Sequence, residues 1–573
     1  MKNLSLFYII KKIFFFVKNI LLKIMHICYK ILQKLSNIIT PQSKHEHTYL
    51  LIIKAKIILM AISIAIIIII FKLFSILTKD IYQHKLYTNQ KKSSRVSIVD
   101  RNGKLLAGNI SIYDLYLQPS NIEDIDKCIN DIDFLLLNKI SQTRKAEIVN
   151  KKKKKKDSDK KIFIKAGLSF QERQSLINKK IKGLFFEEKE KRFYTSESAN
   201  IILGYCPTNE KCISGIEKSM FNYLSNGNNK PLELSIDNTI QLVVRDLLYK
   251  KMIETNSKGA TGIVMNIKTG EILTAVSLPD CDYNNYNSCT NESLFNNYSY
   301  GIYELGSVFK IFLAGLALKS GISPYKEYTR EAYKMDKYTI HDIDNKDNKG
   351  GKLNLIDIIR LSSNVGCAKI MEDIDLYDQY KFLSNLNLLT KIKTELPEIG
   401  KPQYPKKWSQ LNGVTISYGH GISVSPLQYT AAVASLLNNY PVNPTFLKQK
   451  QNKTNKKKFF YLNEEQYDIL KDIMRQVINN GGGKRAYIDQ YDIGGKTGTA
   501  IQIKNGKYDR YSMILSFVAV VPMYDPEYVF FITLHYPQTN IKNNYIVRSS
   551  YILGETMKQI ISFVGPILNI NPI

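Results

Sequence analysis

Acidic residues are in deficit. The 573-residue chain carries 51 Asp and Glu against 80 Lys and Arg, a formal net charge of +29. Such a balance suits nucleic acid, an anionic membrane or an acidic polymer as partner. The plainer reading is biased residue usage with solvated lysines. No RNA-binding aromatic motif or zinc-finger spacing accompanies the charge, which sets nucleic acid aside. Histidine is scarce at seven residues, and the seven cysteines include no CxxC and no nearby His cluster, so zinc is not indicated. Two close pairs, Cys206/Cys212 and Cys281/Cys289, suit disulfides in an oxidising compartment or remain thiols. With 44 % hydrophobic and 23 % charged residues the chain is not disordered, and its length leaves room for two or three domains.

Residues 1–50 alternate lysines with apolar residues near helical spacing, as in a basic amphipathic helix on an anionic leaflet or a cytoplasmic extension. Ile57 to Leu77 then runs almost without charge, enough to cross about 30 Å of hydrocarbon. No small-residue cleavage site follows it, so a retained anchor at 51–78 is expected. Ten lysines and one acid, Glu46, precede it, which places the N-terminus in the cytoplasm and the rest outside. From Arg95, RVSIVDRNGKLLAGN reads as two short strands about Asn102-Gly103. Residues 151–156 are six lysines, expected as an exposed loop. A first extracytoplasmic unit is placed at 79–232 and a second at 233–573. The second opens with a helix after Asp237 as N-cap and a hairpin about Lys268-Thr269-Gly270. Helical segments follow to about residue 440, then strands and a closing helix. That order predicts an α+β fold with an antiparallel sheet packed with helices.

Three short motifs carry chemistry. Ser307-Val308-Phe309-Lys310 puts a hydroxyl and an amine on one helical face. A serine is a poor nucleophile without a base, and a lysine is a base only if its pKa is lowered. Ser362-Ser363-Asn364 offers a second hydroxyl to relay a proton and an amide to hold a carbonyl. Lys496-Thr497-Gly498-Thr499 lies in a strand pattern after Gly494 and Gly495; its hydroxyls and lysine suit a carboxylate, and an edge strand can hold a peptide. It lacks the GxxxxGK[ST] spacing of a phosphate loop. A His–Ser triad would need a GxSxG context or an orienting acid, and Ser307 shows neither cue, so His420 is read as structural or pocket-lining. Glu217 and Asp100 are read as hydrogen-bonders of the first unit. SxxK, SxN and KTG in this order, roughly 50 and 130 residues apart, form the set of the penicillin-interacting enzymes.

On these motifs the chain resembles class B penicillin-binding proteins, most closely the septal, FtsI-like transpeptidases. DRNGKLLA, GIEKSMFNYL, LSIDNTIQ, TGEILTAVSLPDCDYN, SYGHGISVSPLQYTAAVASLLN, GGKTGTA and SFVAVVP match family stretches over about residues 95–565. ELGS stands for the commoner EPGS, Val96 for a glycine and Thr195 for a proline. The resemblance implies a transmembrane helix, an elongated mostly-β pedestal, and a transpeptidase domain with an all-helical subdomain. It implies that Ser307 attacks the D-Ala-D-Ala carbonyl of peptidoglycan stem peptides with Lys310 as base. Ser362 and Lys496 would relay the proton, and Asn364 would bind the substrate amide. Thr497 and Thr499 would hold the terminal carboxylate, with Gly498 beside them in the substrate-binding strand, and the amides of Ser307 and Thr499 would form the oxyanion hole. No metal or cofactor is implied. β-Lactams, the inner membrane, a glycosyltransferase polymerase and other division proteins are the implied partners. The rival readings are an elongation-type enzyme, a β-lactam sensor or scaffold, and a β-lactamase.

Overall fold

The computed structural model of the protein describes Lys56 and residues 95–573, apart from 138–139, 154–159, 208–210, 227–229, 336–337, 343–349, 450–460, 505–506 and 539–547. Apart from Lys56, the N-terminal extension and apolar run placed at 1–50 and 51–78 lie outside the described residues. Among those described, no helix is long and apolar enough to cross a membrane.

Strands β1 (Ile98–Val99) and β2 (Leu105–Leu117) pair antiparallel across the Asn102-Gly103 turn. Gly103 sits at φ +82°, where a side chain is strained. Asp100 fixes the turn by accepting from the amides of Asn102 and Lys104. β3 (Ile162–Leu168) and β4 (Leu184–Tyr194) both pair with β2. The apolar face of this sheet is covered by α1 (Ile125–Leu135), α2 (Gln142–Lys153) and α3 (Phe170–Asn178). The unit is therefore mixed α and β, which corrects the expected mostly-β pedestal. The cause is legible in part: Asp124 caps α1, and Ser169 and Glu172 form a reciprocal capping box on α3. The lysine run is also corrected, because its first three residues continue α2; lysine is a good helix former and propagates a helix already begun.

Cys206–Cys212 and Cys281–Cys289 are disulfide-bonded, whereas Cys367 is a free, buried thiol and Cys128 is buried. The two bonded loops meet: Tyr205 stacks on Tyr286 with centroids 3.9 Å apart, and Asn284 exchanges hydrogen bonds with the backbone of Tyr194. Alkylation of the denatured protein should gain four thiols on reduction, two from each bond. Equal counts before and after reduction would mean that neither bond forms.

β5 (Leu232–Glu233) pairs parallel with β1 and leads to α4 (Asn238–Glu254), which Asp237 caps through the amides of Thr239 and Ile240. β6 (Gly259–Asn266) and β7 (Ile272–Leu278) form the expected hairpin. α5 (Lys310–Lys319) follows, then four short strands: β8 (Tyr328–Thr329), β9 (Tyr333–Met335), β10 (Tyr338–Ile340) and β11 (Lys352–Leu353). They pair as β8–β11 and β9–β10, so the inserted region is not all-helical as expected. α6 (Leu355–Arg360), α7 (Asn364–Ile370), α8 (Pro426–Asn438) and α9 (Glu464–Asn480) come next. β12 (Gly494–Lys504), β13 (Lys507–Val521), β14 (Tyr528–His535) and α10 (Ser549–Ile567) complete the chain.

The five-stranded sheet has the order β12-β13-β14-β6-β7, antiparallel throughout. α4 and α10 cover one face through Val244, Leu248, Leu553 and Met557. The other face meets α5 and α8, with Tyr429 4.7 Å from Phe531 between ring centroids. Burial on both faces explains why β14 is buried along its whole length and does not alternate apolar with polar residues. β12 is left at the edge of the sheet, and α9, which the strand-and-helix reading passed over, packs against it.

Candidate active site

The SxxK segment begins as a 3-10 turn, Gly306–Phe309, that runs into α5. Gly306 has φ +64°, and a Cβ there would lie 2.6 Å from the Thr499 carbonyl, so only glycine lets the turn rest on β12. Its amide donates to Gly419 O at 3.2 Å. Tyr429 donates its hydroxyl to Val308 O at 2.9 Å, and Ser516 donates to Leu305 O at 3.0 Å. Glu304, just before the turn, accepts from the Gly421 amide at 2.8 Å and pairs with His420 Nδ1 at 2.9 Å. His420 is thus a clamp on the approach to Ser307, consistent with a structural part. Ser307 itself is half-buried, one turn before Lys310.

Lys310 is fully buried. Its Nζ lies 2.6 Å from Ser362 O, 2.8 Å from Asn364 Oδ1 and 3.2 Å from Ser362 Oγ. Burial holds its pKa below the usual lysine range; Cys367 and Asp342 act the other way. An uncharged amine has two N–H donors and one lone pair. With the donors on Ser362 O and Asn364 Oδ1, the lone pair is left for a hydroxyl.

Ser362 and Asn364 sit where α6 gives way to α7, with Ser363 as N-cap. Ser362 Oγ accepts from Lys496 Nζ at 3.0 Å and so lies between two amines. Lys496 is fully buried on β12, and burial first, then the charge of Lys310, lowers its pKa to about 7. Two buried amines this close cannot both be charged cheaply. Thr497, Gly498 and Thr499 follow on the same edge strand. A Cβ at Gly498 would meet Leu305 O at 2.6 Å, which keeps the strand tight against the Ser307 turn. The structure therefore brings Lys310, Ser362, Asn364 and Lys496 into direct contact and sets the Ser307 turn against β12.

Three further residues support this region: Asp342 and Cys367 stand outside the three motifs, and Glu304 is the first residue of ELGS, to which the sequence attached no role. Asp342 is buried and accepts from Ser363 Oγ and from the amides of Asn364 and Val365. The Cys367 thiol is buried near both amines, and burial pushes its pKa to about 11. Glu304 holds His420. Asp342 stands in the polar stretch HDIDNKDNKGG, where no periodicity separates one aspartate from another.

A family model described as the penicillin binding protein transpeptidase domain matches residues 260–558, and one described as the penicillin-binding protein dimerisation domain matches residues 90–230. The chain is 29 % identical over 499 residues to the probable peptidoglycan D,D-transpeptidase FtsI of Caulobacter vibrioides, covering 84 % of this chain and 83 % of that protein. It is 30 % identical over 397 residues to the peptidoglycan D,D-transpeptidase FtsI of Buchnera aphidicola subsp. Schizaphis graminum, covering 63 % and 67 %. It is 24 % identical over 516 residues to the stage V sporulation protein D of Bacillus subtilis, covering 82 % and 78 %.

Proposed function

The chain belongs to the penicillin-binding protein transpeptidase family, and from that premise we propose that Ser307 is the acylated nucleophile of its active site. The protein is a peptidoglycan D,D-transpeptidase of class B, a serine-type acyltransferase. The observation that carries the site is Ser362 Oγ lying 3.2 Å from one buried amine and 3.0 Å from another.

In the proposed scheme Lys310 takes the Ser307 proton as the Ser307 oxygen bonds to the D-Ala-D-Ala carbonyl carbon. The amides of Ser307 and Thr499 hold the oxyanion, a contribution of about 2.7–4 kcal/mol per donor in such sites. The C–N bond then breaks, and Ser362, resupplied by Lys496, protonates the departing D-Ala. Asn364 holds the substrate amide; Thr497, Gly498 and Thr499 hold its terminal carboxylate along the free edge of β12. An amine of a second stem peptide then attacks the ester carbonyl and passes its proton through Ser362 back to Lys496, while Lys310 returns its proton to the departing Ser307 oxygen.

The septal role is proposed from the resemblance of YGHGISVSPLQ and from relatives named FtsI. The elongation role is the alternative, and localising a tagged copy in dividing cells separates them. A single-pass anchor at 51–78, a pedestal at 79–232 and a catalytic unit at 233–573 in the periplasm are proposed from the apolar run and its lysines. The two disulfides support an oxidising compartment. Pairing with a glycosyltransferase polymerase and other division proteins is proposed from family resemblance.

The direct test is covalent. The protein incubated with a fluorescent penicillin should carry a long-lived adduct on the peptide holding Ser307. An adduct on another residue would reject the nucleophile, and rapid hydrolysis of the drug would indicate a β-lactamase.

A further inference from the structure

Asp342 takes no part in the scheme above, yet its carboxylate is 7 % exposed and has four donors. Oδ1 accepts from the Asn364 amide at 2.7 Å and the Val365 amide at 3.1 Å. Oδ2 accepts from Ser363 Oγ at 2.7 Å and Arg330 Nε at 3.2 Å. Three of the four donors belong to the three residues that directly follow Ser362.

Ser362 has φ +61°. A non-glycine residue in that region costs about 1–3 kcal/mol and persists only where its surroundings over-determine it. Two backbone bonds fix the entry of the turn: Ser362 N to Ile359 O at 3.2 Å and Ser363 N to Ile358 O at 2.9 Å. The exit is fixed from outside, by a residue at the end of the β9–β10 hairpin.

We propose that Asp342 is a positioning residue for transpeptidation. It anchors the exit of the Ser362–Asn364 turn, so that Ser362 Oγ stays between Lys310 Nζ and Lys496 Nζ while Asn364 Oδ1 stays on Lys310 Nζ. The inference rests on the roles proposed above for Ser362, Asn364 and Lys310. Hydrogen bonds of 3.0 and 3.2 Å to Ser362 Oγ are already at the long end of the range, so an ångström of drift breaks them. Asp342 touches neither substrate nor the reacting atoms; it acts through the backbone of Asn364.

Its charge has a separate signature. The groups acting on the Lys310 amine are Asp342, the Cys367 thiol on α7 and Lys496 on β12. Cys367, with its pKa raised to about 11, is neutral at physiological pH, and Lys496 repels a second cation. Beside Cys367, Asp342 is thus the carboxylate that favours the charged form of Lys310. Without its charge Lys310 becomes a free base at lower pH, and the acid limb of the acylation profile moves to lower pH.

The experiment measures acylation of the full-length protein by a fluorescent penicillin across pH, with thermal melts alongside. Asp342→Asn should acylate about ten- to a hundredfold more slowly, with its acid limb at lower pH than the wild type. A smaller loss, or a limb that stays or moves to higher pH, overturns the proposal; a merely structural role would lower the melting temperature and leave the limb in place. Asp342→Glu keeps the charge and shifts it by one methylene, so the limb should stay while the rate falls about fivefold or more. A smaller loss overturns the positioning role, and this variant decides alone if Asp342→Asn does not fold. Mapping the wild-type adduct separates the two claims. An adduct away from Ser307 removes the reaction scheme, whereas unimpaired Asp342 variants with Ser307 still labelled remove only this role.

Discussion

Lys310→Met is expected to slow acylation by a β-lactam about 10²- to 10⁴-fold, the range that a positioned general base contributes. Methionine nearly matches the lysine stem in length and suits a site that is fully buried, so the fold is retained. Two acceptors lose their donor, Ser362 O and Asn364 Oδ1, at about 1–3 kcal/mol for each group left unpaired. Removing an amine held out of water offsets part of that cost. The pH profile gives a second check. Lysine acts as a base only when uncharged, so wild-type acylation rises with pH through the Lys310 titration. That titration lies below the free-lysine value of about 10.4 because burial disfavours the cation. In Lys310→Met this rise should vanish together with the rate. A variant that acylates within about tenfold of the wild type would assign the base elsewhere, with Lys496 the first candidate, since its pKa falls to about 7.

The reaction class was legible because each motif pairs a reactive group with the local structure that places it. Ser307 and Lys310 share a helical face by spacing alone, and Gly306 announces a turn that no side chain fits. Gly494, Gly495 and Gly498 mark a strand approached closely by other atoms, and the structure shows Val518 O and Leu305 O at those places. Helix starts were legible where a cap was written out, as at Asp237. What escaped were the supports. Asp342 lies 22 residues before Asn364, Glu304 lies 116 before His420, and Tyr429 reaches Val308 across 121 residues. Such contacts depend on which loops the fold brings together, and nothing local distinguishes the carboxylate that will be buried. The lysine run erred for the opposite reason. A charge cluster argues for solvent, but it does not argue against helix, and α2 simply continued into it.

The GIE segment gives the second large expectation, this one in stability. Glu217 is fully buried, and it meets Arg192 Nε at 2.6 Å and Arg95 Nη1 at 3.4 Å. Arg192 is itself 4 % exposed; its Nη1 donates to Asn109 on β2, while its Nη2 has no partner among the described residues. The helix holding Glu217 is pressed against the chain, since a Cβ at Gly215 would lie 2.5 Å from Gly204 N. That close packing opposes an outward swing of the segment that would hydrate Arg192 in the native state. Glu217→Ala therefore leaves a buried guanidinium without its counter-charge, at a cost of about 3–5 kcal/mol. Local opening of this region should become roughly a hundredfold to several-thousandfold more frequent, at tenfold per 1.4 kcal/mol. Hydrogen exchange reads this directly. Protection should fall in β1, β2, β4 and residues 200–207 and 211–220, which lie on the same side of the sheet as the ion pair, and hold in β13 and β14. Unchanged protection near Glu217 would mean that water reaches Arg192, and that the burial seen here does not govern the stability of this sheet.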